Sequence, residues 1–134
     1  MLQPKRLKHR KVFRRHIAPV ASRGNYISFG SFGLKTEESY WLKANQIEAA
    51  RKSITRYLEK GGKLWIRVFP HVPQTAKSAE VGMGGGSGPI VGFSAPVEAG
   101  RILFEIDGVD EKVAREAFRL ASSKLPVKTR FIKK

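Results

Sequence analysis

"KLWIRVFP", residues 63–70, carries two patterns at once. In an extended chain Leu64, Ile66 and Val68 point one way, and Lys63, Trp65, Arg67 and Phe69 point the other. Pro70 ends the run. The alternation reads as a β-strand whose aliphatic face lies in a core. The opposite face alternates cations with rings and leaves two readings open. It can contact phosphates and stack on exposed bases. It can also form a second core layer under snorkelling Lys and Arg stems.

The flanking elements decide the fold class. Upstream, "NQIEAARKSITRYLEKGG" (45–62) predicts a helix with Asn45 as N-cap and Glu48 completing a capping box. Ile47, Ala50, Ile54 and Leu58 form its apolar stripe, and Gly61–Gly62 stop it. Downstream, "RILFEID" (101–107) alternates with Ile102, Phe104 and Ile106 inward. A second helix is predicted from the N-cap Asp110 to Lys124, closed by Pro126, with Val113, Ala117, Leu120 and Ala121 buried and Glu111 paired to Arg115. "VKTRFIKK" (127–134) alternates again. "RGNYISFGSFGLK" (23–35) suits a short strand with turns; Tyr26, Phe29 and Phe32 belong in the core or stack on bases, core being the preferred reading. The Gly-, Pro- and Ala-rich stretch after Pro70 is expected to hold a strand near Ile90–Ser94 and a flexible glycine hairpin, bounded as 76–93. Two helices among four or five strands with hairpin-like connections make an α+β fold: a mainly antiparallel sheet with two helices packed on one face.

Charge is unevenly placed along the 134 residues, which read as a single domain. The net charge of +15 comes wholly from the ends. Residues 1–36 hold nine Lys or Arg and no acid, and residues 117–134 hold six and no acid. Between them eleven bases balance eleven acids. A neutral body with a basic N-terminal arm (1–23) and a basic C-terminal tail fits a polyanionic partner. Leu2, Leu7, Val12 and Phe13 interleave the arm's cations, so part of it is expected to dock and to order against that partner.

Other chemistries find little support. "GMGGGSGP" (82–89) lacks the Lys-Ser/Thr of a phosphate-binding loop and breaks the G-x-G-x-x-G spacing. There are no cysteines, and His9, His16 and His71 are scattered without ligand spacing. Glu105 and Asp107 share a strand face but have no catalytic partner in the sequence, while Asp110 and Glu111 suit a helix N-terminus. No catalytic, metal or cofactor site is expected. No apolar run is long enough to span a bilayer and no apolar segment of signal type follows the first basic residues, so neither membrane nor secretion is expected.

The segments "QPKRLKHRK", "SFGSFGLK", "NQIEAAR", "GKLWIRVFP", "EIDGV" and "VAREAFRLASSKLPVKTRF" stand in an order and spacing that identify a family. The chain resembles the bacterial large-subunit ribosomal protein numbered sixteen, whose archaeal and eukaryotic relatives carry the number ten. The resemblance covers essentially the whole chain. It implies an α+β fold without enzymatic activity or a small-molecule substrate. It also implies a structural role in the large subunit near the aminoacyl-tRNA site, helping to position tRNA and to complete assembly. The partners implied are large-subunit rRNA, tRNA and neighbouring ribosomal proteins. The location implied is a bacterial cytoplasmic ribosome, or an organelle ribosome for an organelle-encoded chain.

Carried over by position, rRNA binding falls to Lys5, Arg6, Lys8, Arg10, Lys11, Arg14 and Arg15 of the arm, to Lys63, Trp65 and Arg67, and to Lys128 and Arg130. The tRNA-proximal loop falls to Gly82, Met83, Gly84, Gly86 and Gly88. Relatives usually read R-M-G-x-G-K-G there. Gly82 stands at the family's Arg, which some members hydroxylate, and Ser87 at its Lys. The glycine frame is kept and the charge is lost. A free-standing basic nucleic-acid-binding regulator is the alternative, although neither helix has the partner that a helix-turn-helix needs.

Overall fold

The structure is a computed structural model that describes residues 1–134 apart from 10, 13–15, 60, 78–81, 83 and 87. Among the described residues the chain forms seven strands and two helices: β1 (Phe32–Thr36), β2 (Tyr40–Lys43), α1 (Ala44–Leu58), β3 (Lys63–Ile66), β4 (Val72–Thr75), β5 (Ile90–Val97), β6 (Ile102–Asp107), α2 (Glu111–Ser122) and β7 (Thr129–Lys133). All strand pairings are antiparallel. The fold is α+β, as the sequence predicts, but the strands divide between two sheets, ordered β3-β6-β1-β7 and β2-β5-β4. The helices pack on each other; α2 also meets β1 and β7, and α1 meets β2 and β5.

Local chemistry sets the element boundaries. α2 begins where expected, with the Asp110 carboxylate accepting from the Val113 N–H at 3.0 Å. α1 begins earlier than its expected cap at Asn45, because β2 runs straight into it. Lys43 is the last extended residue, and its N–H donates to the Gln46 side chain at 2.9 Å. Glu48 pairs instead with Arg51. β5 starts at Ile90, where a strand is expected, and continues beyond Ser94 to Val97, paired with the unforeseen strand β4; residues 90–93, bounded with the loop, are sheet.

One core joins the two sheets and both helices. Leu34, Phe104 and Ile106 of the larger sheet meet Ile47, Ala50 and Ile54 of α1, Ala117, Phe118 and Ala121 of α2, and Leu42, Ala95 and Val97 of the smaller sheet. The buried face of α2 is Ala114, Ala117, Phe118 and Ala121, not the expected stripe through Val113 and Leu120. The large ring sets the rotation: Phe118 lies 6.1 Å from Phe131, which stacks on Phe32 at 5.6 Å.

β6 departs most from its sequence reading. Ile102, Phe104 and Ile106 are inward as expected, yet Leu103 and Glu105 between them are equally buried. The chain from Ala21 to Ser31 folds across that second face. Ile102 N–H donates to the Gly24 carbonyl at 2.8 Å and Ser31 N–H to the Ile106 carbonyl at 3.0 Å. At Gly30 an added Cβ would sit 2.6 Å from the Ile106 oxygen, so only glycine permits this approach.

Candidate nucleic-acid interface

β3 presents its two faces as its alternation dictates. Leu64 and Ile66 pack against the core and Val68 is buried. In the register of β3 with β6, Lys63 lies opposite Asp107 and Trp65 opposite Glu105, so these four share the sheet's other face. There the Ala21–Ser31 segment completes a surface strip. Phe29 stacks on Trp65 with centroids 6.0 Å apart and planes 20° from parallel. The Lys63 ammonium stands 5.2 Å from the Trp65 ring, and the Arg67 guanidinium 5.1 Å from the Phe29 ring. Phe29 is 57% exposed and Tyr26 67%. The expectation that Tyr26 and Phe29 lie in the core is therefore overturned, and only Phe32 packs against it. The segment crosses the sheet rather than joining it, so Ile27 takes the inward position against Gly33 and its aromatic neighbours face out.

Glu105 fixes this geometry. Its carboxylate accepts N–H bonds from Phe29 at 2.7 Å, Gly30 at 2.7 Å and Ser28 at 3.3 Å, and pairs with Arg67. Burial pushes its pKa up; the Gly30 N–H, the Arg67 guanidinium and the Phe29 and Ser28 N–H groups outweigh burial and hold it below the ordinary value. Beside it the Asp107 carboxylate accepts from the Ser31 hydroxyl at 2.7 Å. The two acids on this face are thus consumed in holding the segment down. Arg67 is correspondingly committed: it is an internal partner of Glu105 as well as a surface cation.

The remaining basic positions divide between the arm and the C-terminal end, which is not the expected tail but strand β7, paired to β1 at the edge of the larger sheet. Lys5, Arg6, Lys8 and Lys11 are exposed; Arg10, Arg14 and Arg15 lie outside the described residues. The arm is attached at both ends of its course. Leu2 packs against the core, the Ser39 hydroxyl donates to the Ala18 carbonyl at 3.0 Å, and Ala21 N–H donates to the Ala99 carbonyl at 2.8 Å. Arg130 is exposed on β7, and Lys128 is exposed just before it with its carbonyl held by Glu37 N–H at 2.9 Å. His9, His16 and His71, scattered in sequence, line one cleft with Trp41 and Pro96. Among the described residues no group of acids and histidines could hold a metal ion, and no helix is long and apolar enough to cross a membrane.

The glycine run lies between β4 and β5 in the sequence. Gly82, Gly84 and Gly86 are exposed and Gly88 is half-buried; Met83 and Ser87 lie outside the described residues. Gly84, Gly85 and Gly86 all take positive φ, a run that side chains other than glycine tolerate poorly.

The sequence leaves base stacking open for Tyr26 and Phe29 but holds no signal for Glu105 as their anchor, since segment and anchor are some seventy-five residues apart, as in the Gly30–Glu105 bond.

Comparison with known proteins matches nearly the whole sequence. The family described as ribosomal protein L16p/L10e matches residues 4–132. The large ribosomal subunit protein uL16 of Streptococcus thermophilus (strain CNRZ 1066) is 54% identical over 134 residues, covering 100% of this chain and 98% of that protein. The protein of the same name from Staphylococcus aureus (strain Newman) is 53% identical over 134 residues, covering 100% of this chain and 93% of its own length. A neutral α+β body with a basic arm, matched end to end by these relatives, belongs to the L16p/L10e family of ribosomal proteins.

Proposed function

We propose that the chain grips large-subunit rRNA through its N-terminal arm, its Lys63–Trp65–Arg67 strip and its Lys128–Arg130 stretch, close to where aminoacyl-tRNA is accommodated. Membership of the family makes it a structural constituent of the large ribosomal subunit, with rRNA and ribosomal proteins as partners, and not an enzyme. The observation that carries the rRNA reading is the separation of charge. The body is neutral, and the whole excess of +15 lies in acid-free ends. Lys5, Arg6, Lys8, Lys11, Lys128 and Arg130 stand exposed there. Such cations release counterions when they meet phosphates, which gives affinity without base sequence.

The Gly82–Gly88 loop is the part turned toward tRNA in this reading. Without Arg and Lys it can approach RNA through backbone N–H groups and the Ser87 hydroxyl, which are weaker partners for phosphate than charged side chains. Cytoplasmic ribosomes of a bacterium are the proposed site of action.

Sedimentation of the native protein through a lysate gradient, before and after a high-salt wash, tests the reading. Retention with large subunits and whole ribosomes through the wash is the expected result. Release into the free or DNA-bound fractions would favour the free-standing regulator instead.

A further inference from the structure

We infer that Phe29, presented on Trp65 beside Tyr26, is a stacking site for an unpaired RNA base, distinct in mechanism from the phosphate grip of the arms. The inference rests on the rRNA reading above and adds a ligand class to one face of it. Exposed rings are ordinarily unfavourable in a folded protein, and three features here explain why these are held in place rather than collapsed inward.

The first is rigidity of the backbone beneath the ring. Three consecutive N–H groups, from Ser28, Phe29 and Gly30, converge on the buried Glu105 carboxylate. Phe29 therefore stands on a firmly tied stretch outside the sheets, and yet 57% of it is open to solvent. A ring fixed in advance loses little entropy on stacking. The second is composition. From Lys63 through Trp65 and Phe29 to Arg67, cation and ring follow one another at 5.2 Å, 6.0 Å and 5.1 Å between group centres. A nucleotide offers a π-face and a phosphate at the same time, and this strip offers the complement of both. The third is the fate of the nearby acids. Glu105 would repel a phosphate, but it is fully buried and paired with Arg67; Asp107, half-buried and hydrogen-bonded by the Ser31 hydroxyl, keeps its charge and lies across the strands from Lys63. Lys63 is left as the exposed charge at the Trp65 end.

Base paired inside a helix, a nucleobase cannot present its face, so the site discriminates single-stranded from double-stranded RNA. Stacking also differs from phosphate contact in its salt dependence: it adds affinity without releasing counterions.

The test uses the full chain with two probes, a short single-stranded RNA carrying 2-aminopurine and an RNA duplex of the same length. Wild type is expected to quench the 2-aminopurine. Phe29→Leu keeps apolar bulk over Trp65 but removes the ring. It is expected to lose the quench and to weaken single-strand binding roughly tenfold, with the salt slope and duplex binding unchanged. Phe29→Tyr keeps both quench and affinity. Lys63→Ala keeps the quench and lowers the single-strand salt slope by about 0.7. Quenching by Phe29→Leu equal to wild type overturns the stacking site while leaving duplex binding, and with it the rRNA reading, intact. A Phe29→Tyr variant as weak as Phe29→Leu also overturns it, since packing rather than the aromatic face would then be at issue. A wild type that binds neither probe overturns both readings together.

Discussion

Glu105 has no exposed surface and still carries a charge at neutral pH, because three backbone N–H groups and Arg67 replace the water removed by burial. Its carboxyl is held below the ordinary value of 4.5 in the folded chain. A carboxyl with a depressed folded pKa contributes fully above its unfolded value, and the contribution fades as pH falls through the folded one. Glu105→Gln removes the charge and leaves Arg67 without its partner. It is expected to cost about 2–4 kcal/mol in urea denaturation at pH 7. The gap between variant and parent should narrow as the solution is acidified below 4.5. Equal midpoints at pH 7 would remove Glu105 from this role. Gly82 offers the opposite kind of residue-scale experiment. A Cβ at Gly82 meets nothing within 4 Å, and its φ is not positive, so a side chain fits there without strain. Gly82→Arg places a cation where the family resemblance expects one. RNA binding should tighten and its salt slope steepen by about 0.7–0.9. A slope that stays put would mean the loop does not reach phosphate.

Helix starts distinguish what a short sequence window can reveal from what it cannot. Asp110 is legible as a cap: it follows a turn, precedes an amphipathic run, and its carboxylate reaches Val113 N–H as predicted. Asp110→Ala is expected to lower stability by about 1 kcal/mol. Asn45 carries the same signature and misleads, because β2 delivers an extended Lys43 directly to the helix and Gln46 closes the turn. Asn45→Ala should therefore change stability by less than about 0.5 kcal/mol, while Gln46→Ala costs more than Asn45→Ala. Equal losses from the two, measured by thermal denaturation, would return the cap to Asn45. The stripe of α1 is readable because its aliphatic residues have one possible inner side. That of α2 is not, because several alanines offer more than one, and the choice falls to Phe118 packing on Phe131. β4 escapes notice for a similar reason: VPQT has no alternation to find, and its pairing with β5 defines it.

On the scale of the whole molecule, charge and core separate at one end and overlap at the other. The core draws on residues from Leu34 to Val127, with Leu2 packed at its edge; the described cations of residues 5–23 lie outside it, whereas the acid-free stretch 117–134 shares Ala117, Phe118, Ala121, Leu125 and Val127 with it. Deleting residues 1–16 removes seven cations and should leave the body folded. The salt slope of rRNA binding should fall by about 0.9 for each duplex phosphate that the shortened chain no longer reaches. An unchanged slope would mean that the arm does not touch phosphate. The sequence alone determined the α+β class, the two helices, the faces of β3 and the basic ends, because periodicity, capping chemistry and charge are local properties. It also determined the family, through motifs spread along its length. Tertiary structure alone decided the division into two sheets, the burial of both faces of β6, and the turning outward of Tyr26 and Phe29. Those depend on the Ala21–Ser31 segment lying over a strand far along the chain and on a carboxylate there to hold it, a meeting that no local pattern encodes.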